Sequence, residues 1–435
     1  MDNERLRELL RQELANARAE TDHLFQMLAP TALYDRPIPE RHRVIFYLGH
    51  LEAFDWNMIA ATSFGLPAFS ASFNRLFEFG IDPVDGGLPQ DQPSDWPLVQ
   101  DILSYRDRVR ATVDDLLSRA DFGNTTQPYV AHGQIFHVAI EHRWMHAETL
   151  AYMFHWLDYD QKRASHSPGS ARHIDSMTRS ASSESSAKRI PGGEAMLGRA
   201  SVSEGFGWDN EFQAHSTFVR EFLMDTFNVT NQDYLEFILA GGYQERSLWS
   251  VEGWNWIQSE GIQHPKFWIL RGDDWFYRTM FEEVPLPKNW PVYVSQAEAQ
   301  AYARWSGKSL PTEEQFHRAA FGSPSDRPRA VLRGNFDFQN WNPDPVGAIP
   351  DTASPFGIHD LIGNGWEWTC TPFAPFEGFR PFAFYPGYSA NFFDGKHFVL
   401  KGASPRTAAS LIRKSFRNWF QPHYPNIYAT FRCVE

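Results

Sequence analysis

Two histidines in the middle of the chain, His142 and His146, have a spacing that suits metal binding. They lie four positions apart in a stretch, 134–157, that contains neither proline nor glycine. Residues four apart on a helix share one face about one turn apart, so both imidazoles can reach a single ion. The ordinary alternative is one buried, hydrogen-bonded histidine and one that faces solvent. Glu148 points elsewhere and suits a hydrogen bond to a ligand or a salt bridge better than direct ligation.

A third ligand is available in His50, which lies among apolar neighbours in the segment 46–52, FYLGHLE. Three neutral imidazoles would leave three octahedral positions open. This set differs from the two histidines and one carboxylate common in non-haem iron oxygenases, but it keeps vacant positions for oxygen and a substrate. Three histidines also suit zinc. The pattern therefore predicts a metal site without naming the metal.

Long helices must position these histidines. Apolar residues recur with helical spacing in four segments separated by loops, which predicts a four-helix bundle. Metal sites in such bundles are commonly built from side chains on facing helices. The segments are 4–28, 46–61, 99–117 and 134–157, and one predicted loop covers 80–97.

The second half of the chain has a different composition. Nine serines fall between positions 165 and 186, with almost no large apolar residue among them, which predicts a linker or long mobile loop. Beyond it the chain is rich in Trp, Gly and Pro; we predict two helices, 231–239 and 296–305, among short strands and loops. The expected order is α followed by α+β. The expected divisions are a helical bundle at 1–160, the Ser-rich linker at 161–190 and an α+β domain at 191–435.

Composition excludes several functional classes. A net charge of -13 over 435 residues, with no basic stripe, argues against nucleic-acid or anionic membrane partners. The first ten residues are charged throughout and about 18 apolar residues never run unbroken, which predicts neither a signal peptide nor a membrane span. We therefore expect a cytoplasmic protein. Only Cys370 and Cys433 occur, so any metal must be held by histidines and carboxylates.

Several motifs in the second half resemble the formylglycine-generating-enzyme fold, a C-type-lectin-like α+β domain. Those enzymes use a pair of cysteines near the C-terminus, whereas this chain reads SFRNWF at 415–420. Copper-thiolate chemistry is therefore not expected. The matching motifs are 206–211 (FGWDNE), 229–231 (VTN), 241–243 (GGY), 307–314 (GKSLPTEE), 363–369 (GNGWEWT) and 431–433 (FRC).

Over nearly its whole length the chain resembles the EgtB type of ergothioneine-pathway sulfoxide synthase and the related ovothiol and selenoneine synthases. These place a DinB-like bundle with an HxxxHxE pattern before the second domain, and residues 142–148 reproduce that pattern. Further matches are 393–397 (FDGKH), 399–404 (VLKGAS) and 417–420 (RNWF). The resemblance implies an iron(II) enzyme with His50, His142 and His146 as ligands. It would use O2 to join sulfur or selenium to the imidazole ring of hercynine, which is trimethylhistidine.

The resemblance also suggests residues that bind the substrate. A trimethylammonium group cannot donate a hydrogen bond, so aromatic faces are its natural receptor. Trp419 and Phe420 are the candidates for that receptor, and Asn418 occupies a position that addresses the substrate in the family. Arg106 resembles the arginine that binds a substrate carboxylate, although it could instead pair with Asp107 or Glu78 at the surface. The further carboxylate candidates, with the same alternative, are Arg413 and Arg417.

Two departures from the family pattern affect the donor. Many EgtB sequences have a glutamine that helps hold hercynine just before the second histidine, where this chain has Met145. The stretch that carries the proton-donating tyrosine reads PFAFY at 381–385, so Tyr385 and Tyr388 are both candidates. These changes favour a selenosugar donor, as in selenoneine synthase, over cysteine or γ-glutamylcysteine. A zinc-dependent DinB-type hydrolase or thiol transferase and a non-catalytic binding module are the alternatives from other classes.

Overall fold

The computed structural model describes residues 2–78, 90–164, 187–200, 205–322 and 333–435. The chain divides into two compact units, Met1–Ser165 and His166–Glu435. Among these residues, helices make up the first unit and strands appear only in the second, which confirms the predicted class of α followed by α+β. Most of the predicted Ser-rich linker at 161–190, and part of the predicted loop at 80–97, lie outside the described residues.

The first unit contains the four predicted long helices and a short one. The side chain of Asp2 caps the first helix by accepting a hydrogen bond from the backbone N–H of Arg5, at 2.7 Å. After Asp55 the second helix continues as a π-helical segment, Trp56–Ser63. The helices are α1 Asn3–Gln26, α2 Val44–Asp55, α3 Ala71–Leu76, α4 Val99–Arg119 and α5 Gln134–His155.

The four long helices differ in how much of their surface is buried. Helices α1 and α4 are amphipathic: α1 buries one stripe that includes Leu10, Leu14 and Leu24 and exposes charged residues elsewhere. Every residue of α2 is buried, and nearly all of α5 is too. The two helices that carry the predicted metal ligands are therefore the interior helices of this unit. No helix among the described residues is long and apolar enough to cross a membrane.

The second unit combines small sheets with short helices. Its largest described sheet contains four strands: β8 Gly365–Pro372, β9 Phe398–Ala403, β10 Asn418–Phe420 and β11 Ala429–Thr430. Their order in the sheet is β10-β9-β8-β11, with β11 parallel to β8 and the other pairs antiparallel. A three-stranded sheet holds β5 Trp268–Arg271, β6 Asp274–Arg278 and β7 Glu283–Pro285. Two further pairs join β1 Ala187–Ile190 to β4 Phe222–Asp225 and β2 Gly193–Leu197 to β3 His215–Val219.

The helices of this unit are α6 Asn231–Leu239, α7 Val251–Ser259, α8 Gln296–Trp305 and α9 Glu313–Phe321. The predictions for α6 and α8 agree with the structure, but the strands and loops predicted at the positions of α7 and α9 are wrong. Helix α7 is short and contains Gly253 and two tryptophans, which weaken its helical pattern. Helix α9 does carry a start signal: Thr312 and Gln315 form a capping box.

Candidate metal centre and aromatic cluster

The three predicted ligands come together in the first unit. Each offers a ring nitrogen such that the three nitrogens lie within 4.8 Å of one another. His50 projects from α2, and His142 and His146 project from one face of α5. All three are buried, with at most 5% of their surface exposed. The ring centroid of His50 lies 5.3 Å from that of His142 and 4.9 Å from that of His146.

Neighbouring groups hold these rings in place. Nδ1 of His50 lies 2.7 Å from the carbonyl oxygen of Phe77, so this nitrogen carries the proton and Nε2 is left to bind an ion. Phe54 stacks on His142 with centroids 3.5 Å apart. Nδ1 of His142 and of His146 has no hydrogen-bond partner among the described residues. Converging neutral ring nitrogens, some without a partner, fit a divalent transition-metal ion with open positions.

Burial also sets the protonation state of the cluster. Loss of solvation lowers the pKa of His50 to about 4, which the hydrogen bond to Phe77 only partly offsets. The pKa of His142 and that of His146 lie well below the usual value. Burial is the largest cause, and repulsion from the neighbouring histidines is the next. All three imidazoles are therefore neutral near pH 7. The neutral form is the one that binds metal ions.

The structure places two further predicted residues in this unit. Met145 lies on α5 between the two histidines and is half-buried. Arg106, on α4, forms a salt bridge of 2.8 Å with Asp107, which is the surface pairing that the sequence left open. A role for either residue in substrate binding stays a prediction.

In the second unit, Trp419 belongs to an aromatic cluster formed by Trp208, Phe373, Tyr388, Phe392 and Trp419. The Trp419 ring stacks on Phe373 with centroids 4.2 Å apart and planes 7° apart. Tyr388 and Phe392 each lie 5.5 Å from it. Tyr388 in turn stacks on Trp208 at 3.8 Å. Trp419 is half-buried, so this cluster can present aromatic surface to a cation.

The structure does not bring Phe420 into this cluster. Trp419 and Phe420 are adjacent in β10, and successive side chains of a strand point to opposite faces of the sheet. Phe420 stacks instead on Tyr424, with centroids 5.4 Å apart. Asn418 shares the face of Phe420, and its side-chain oxygen accepts a hydrogen bond from the backbone N–H of Trp419. The two aromatic residues predicted to share one receptor therefore lie on different surfaces.

The two candidate proton donors are neighbours. The ring centroids of Tyr385 and Tyr388 lie 5.7 Å apart. Burial, with the nearby carboxylate of Asp209, raises the pKa of Tyr385 to about 12. A tyrosine in this state stays protonated at neutral pH and can donate its proton. The motif FGWDNE, which by itself predicts only the fold, supplies both Trp208 and Asp209 to this region.

Arg413 and Arg417 are both paired with carboxylates of the protein. Nε of Arg413 lies 2.8 Å from Glu211 and Nη2 pairs with the same carboxylate. Arg417 forms two hydrogen bonds of 3.0 Å to Glu313. Nζ of Lys401 donates to the carbonyl oxygens of Lys414 and Phe416. These contacts anchor the segment that leads into β10, and substrate carboxylate binding by either arginine stays a prediction.

Lys401 gives a stability prediction for the second unit. Burial lowers its pKa from 10.5 to about 8, so between these values the unfolded chain binds more protons than the folded one. The free energy of unfolding should therefore rise with pH across this window, relative to the variant Lys401→Met, by roughly 3 kcal/mol. Denaturant unfolding of both proteins at several pH values between 7.5 and 10.5 measures the difference. A difference that does not change with pH would contradict the lowered pKa.

Two family models match the chain. The model described as "Sulfatase-modifying factor enzyme 1-like domain" matches residues 174–435, and the DinB superfamily model matches residues 13–150. The first match covers more than half of the chain. The order of the two matches is the order of the helical and sheet-containing units.

Two relatives match nearly the whole chain, and a third matches more than half of it. "Ergothioneine biosynthesis protein 1" of Neurospora crassa is 29% identical over 94% of this chain and 56% of its own length. Its namesake in Schizosaccharomyces pombe is 27% identical over 94% of this chain and 54% of its own. "Hercynine oxygenase" of Mycolicibacterium smegmatis is 36% identical over 56% of this chain and 60% of its own. The chain thus spans little more than half the length of these relatives. It belongs to the EgtB-type family, in which a DinB superfamily domain precedes a sulfatase-modifying factor enzyme 1-like domain.

Proposed function

We propose that this protein is an iron(II)- and O2-dependent enzyme that joins selenium or sulfur to C2 of the imidazole ring of hercynine. The observation that carries the proposal is the buried cluster of His50, His142 and His146, which occurs in a chain similar to a hercynine oxygenase. Three neutral imidazoles fit iron(II) and leave positions for other molecules. The family relationship supports this choice of metal over zinc.

Each part of the chain would have a separate task. The three histidines would hold the ion, and bound iron would supply the one-electron chemistry needed to use O2. The burial of these rings would keep bulk water away from the ion. The face of Trp419 would receive the trimethylammonium group, which only an aromatic or anionic surface can recognise. Tyr385 or Tyr388 would hold a proton at its phenolic oxygen for delivery during the reaction.

For the second substrate we propose a selenosugar, which would make the protein a selenoneine synthase. Met145, in place of a hydrogen-bonding glutamine, and the altered tyrosine-bearing stretch support this proposal. Pairing of Arg413 and Arg417 with Glu211 and Glu313 agrees with a donor that carries no carboxylate. The second candidate is a sulfoxide synthase that uses cysteine or γ-glutamylcysteine, which the names of the relatives favour.

The decisive experiment offers all donors to one preparation. Protein purified without oxygen and loaded with iron(II) is given O2 and hercynine with a selenosugar, cysteine or γ-glutamylcysteine in separate reactions, and the products are identified by mass. We expect O2 uptake and a carbon–selenium product with the selenosugar.

A carbon–sulfur product alone would make the protein a sulfoxide synthase. Tight zinc binding, with no O2 uptake in the presence of iron and hercynine, would favour the zinc-dependent hydrolase or transferase. Histidine in place of hercynine is the matched control, because it has the same ring without the trimethylammonium group. Equal turnover of histidine would contradict hercynine as the substrate.

A further inference from the structure

A set of ionic side chains, three of them fully buried, lies beside the histidine cluster and outside the group of converging ring nitrogens. We call it the buried ion network; it consists of Asp22 on α1, Glu52 and Asp55 on α2, Arg110 on α4 and Arg143 on α5. The network therefore reaches all four long helices of the first unit. Arg143 is fully buried, and Glu52 and Asp55 are at most 1% exposed.

Arg143 is the central residue of this network. Its guanidinium donates to Asp55 at 2.8 Å, to Glu52 at 3.2 Å and to the backbone carbonyl oxygen of Leu51 at 3.2 Å. Every one of these acceptors lies on α2. Arg110 donates to the same Glu52 at 2.8 Å and continues to Asp22 at 2.6 Å. Three directed hydrogen bonds thus join α5 to one turn of α2.

That turn of α2 directly follows a metal ligand. Glu52 lies two residues after His50, and Arg143 lies one residue after His142. A helix turns by about 100° per residue, so the charges and the imidazoles project from different faces of the same helical turns. Any rotation or sliding of α2 against α5 would therefore break the ionic contacts and separate the imidazoles together.

Apolar packing alone distinguishes only weakly between different rotations and registers of α2 against α5. Helices α2 and α5 are buried on all sides, so neither has a polar face that fixes its rotation. Hydrophobic burial has no preferred direction, whereas a guanidinium bound to carboxylates has a fixed geometry. Buried ion pairs often add little stability over apolar residues of similar volume. A contribution to stability is therefore a poor explanation for the presence of the buried ion network.

We propose that the buried ion network positions the metal ligands, because the contacts of Arg143 with Glu52 and Asp55 fix the rotation and register of α2 against α5. Arg143, Glu52 and Asp55 are then positioning residues that act on the ion through His50, His142 and His146. The proposal rests on the metal centre of the proposed function. It concerns the geometry of the three metal ligands and does not depend on which substrate the protein uses.

The experiment separates positioning from stability. Cobalt(II) serves as the probe, because its visible spectrum reports the number and arrangement of ligands and its titration gives an affinity. The proteins compared are the wild type, Arg143→Lys, Arg143→Met and the apolar triple variant Glu52→Leu/Asp55→Leu/Arg143→Met. The matched control is Leu116→Ala, which opens a cavity on α4, a helix that carries no ligand. Thermal unfolding of each metal-free protein is measured in parallel.

We expect Arg143→Met and the triple variant to bind cobalt(II) roughly tenfold or more weakly, with altered spectra, as is typical when residues that orient metal ligands are removed. Arg143→Lys keeps the charge and should retain part of the affinity. The triple variant should unfold close to the wild-type temperature, because it removes the three buried charges together and Arg110 keeps its ion pair with Asp22. Leu116→Ala should lower the unfolding temperature but leave the cobalt(II) spectrum unchanged.

A wild-type spectrum and affinity in the triple variant would overturn the proposal. If the triple variant does not fold, Arg143→Lys and Leu116→Ala decide the question: equal losses of affinity for equal losses of unfolding temperature would show a purely structural role. Failure of the proposed metal centre gives a different result, because the wild type itself would then bind no cobalt(II) at His50, His142 and His146.

Discussion

Alanine in place of His142 or His146 is expected to abolish both metal retention and turnover. Each variant removes one of the three converging nitrogens. Because a protein metal site contributes on the order of 10 kcal/mol from all its ligands, the loss of one ligand should weaken binding roughly 100-fold or more. Metal analysis after purification, followed by titration with iron(II) under anaerobic conditions, measures the effect.

His137 provides the matched control for this experiment. It lies on the same helix, α5, but is not part of the histidine cluster. His137→Ala should therefore keep wild-type metal content. Because Phe54 stacks on His142, the unfolding temperature of His142→Ala must be measured as well, so that misfolding is not mistaken for the loss of a ligand. Normal iron stoichiometry in either His142→Ala or His146→Ala would refute the assignment.

Removal of the Trp419 ring is expected to weaken hercynine binding more than tenfold. A desolvated cation–π contact contributes roughly 2 kcal/mol, and each 1.4 kcal/mol is about a factor of ten in affinity. The structure shows that this ring also stacks on Phe373, so alanine would remove packing as well. Trp419→Leu is the better variant, because it retains an apolar side chain but has no aromatic face.

Two controls make this measurement specific. Trp419→Phe keeps an aromatic face and should retain more affinity than Trp419→Leu. With histidine as the ligand, either substitution should reduce the binding affinity much less, because water or carboxylates can form hydrogen bonds with its protonated amine. Calorimetric binding of both ligands to iron-loaded proteins gives the comparison. If the wild type binds hercynine and histidine equally and Trp419→Leu weakens both alike, the trimethylammonium receptor does not include Trp419 and the hercynine assignment must be withdrawn.

The sequence by itself determined the features that depend on local spacing. An interval of four residues on a helix without proline or glycine places His142 and His146 on one face, whatever surrounds them. The long periodic segments of the first unit predicted α1, α4 and α5 closely for the same reason. Motifs such as GNGWEWT predicted the second domain through their resemblance to the formylglycine-generating-enzyme fold. The prediction failed at α7, where Gly253 weakens the helical pattern, and at α9, although Thr312 and Gln315 form a capping box there.

Only the tertiary structure decided which distant residues meet. The sequence predicts that Arg413 and Arg417 bind a substrate carboxylate. In the structure they form salt bridges with Glu211 and Glu313, which are distant in the chain. The fold likewise assigns Trp419 and Phe420 to different surfaces, because their strand pairs with β9 and thereby acquires two faces. No local pattern shows that Arg143 would meet Glu52 and Asp55, since a buried charge finds its partner only when two helices pack. Spacing along the chain thus determined the directions of side chains, and long-range packing determined which residues they contact.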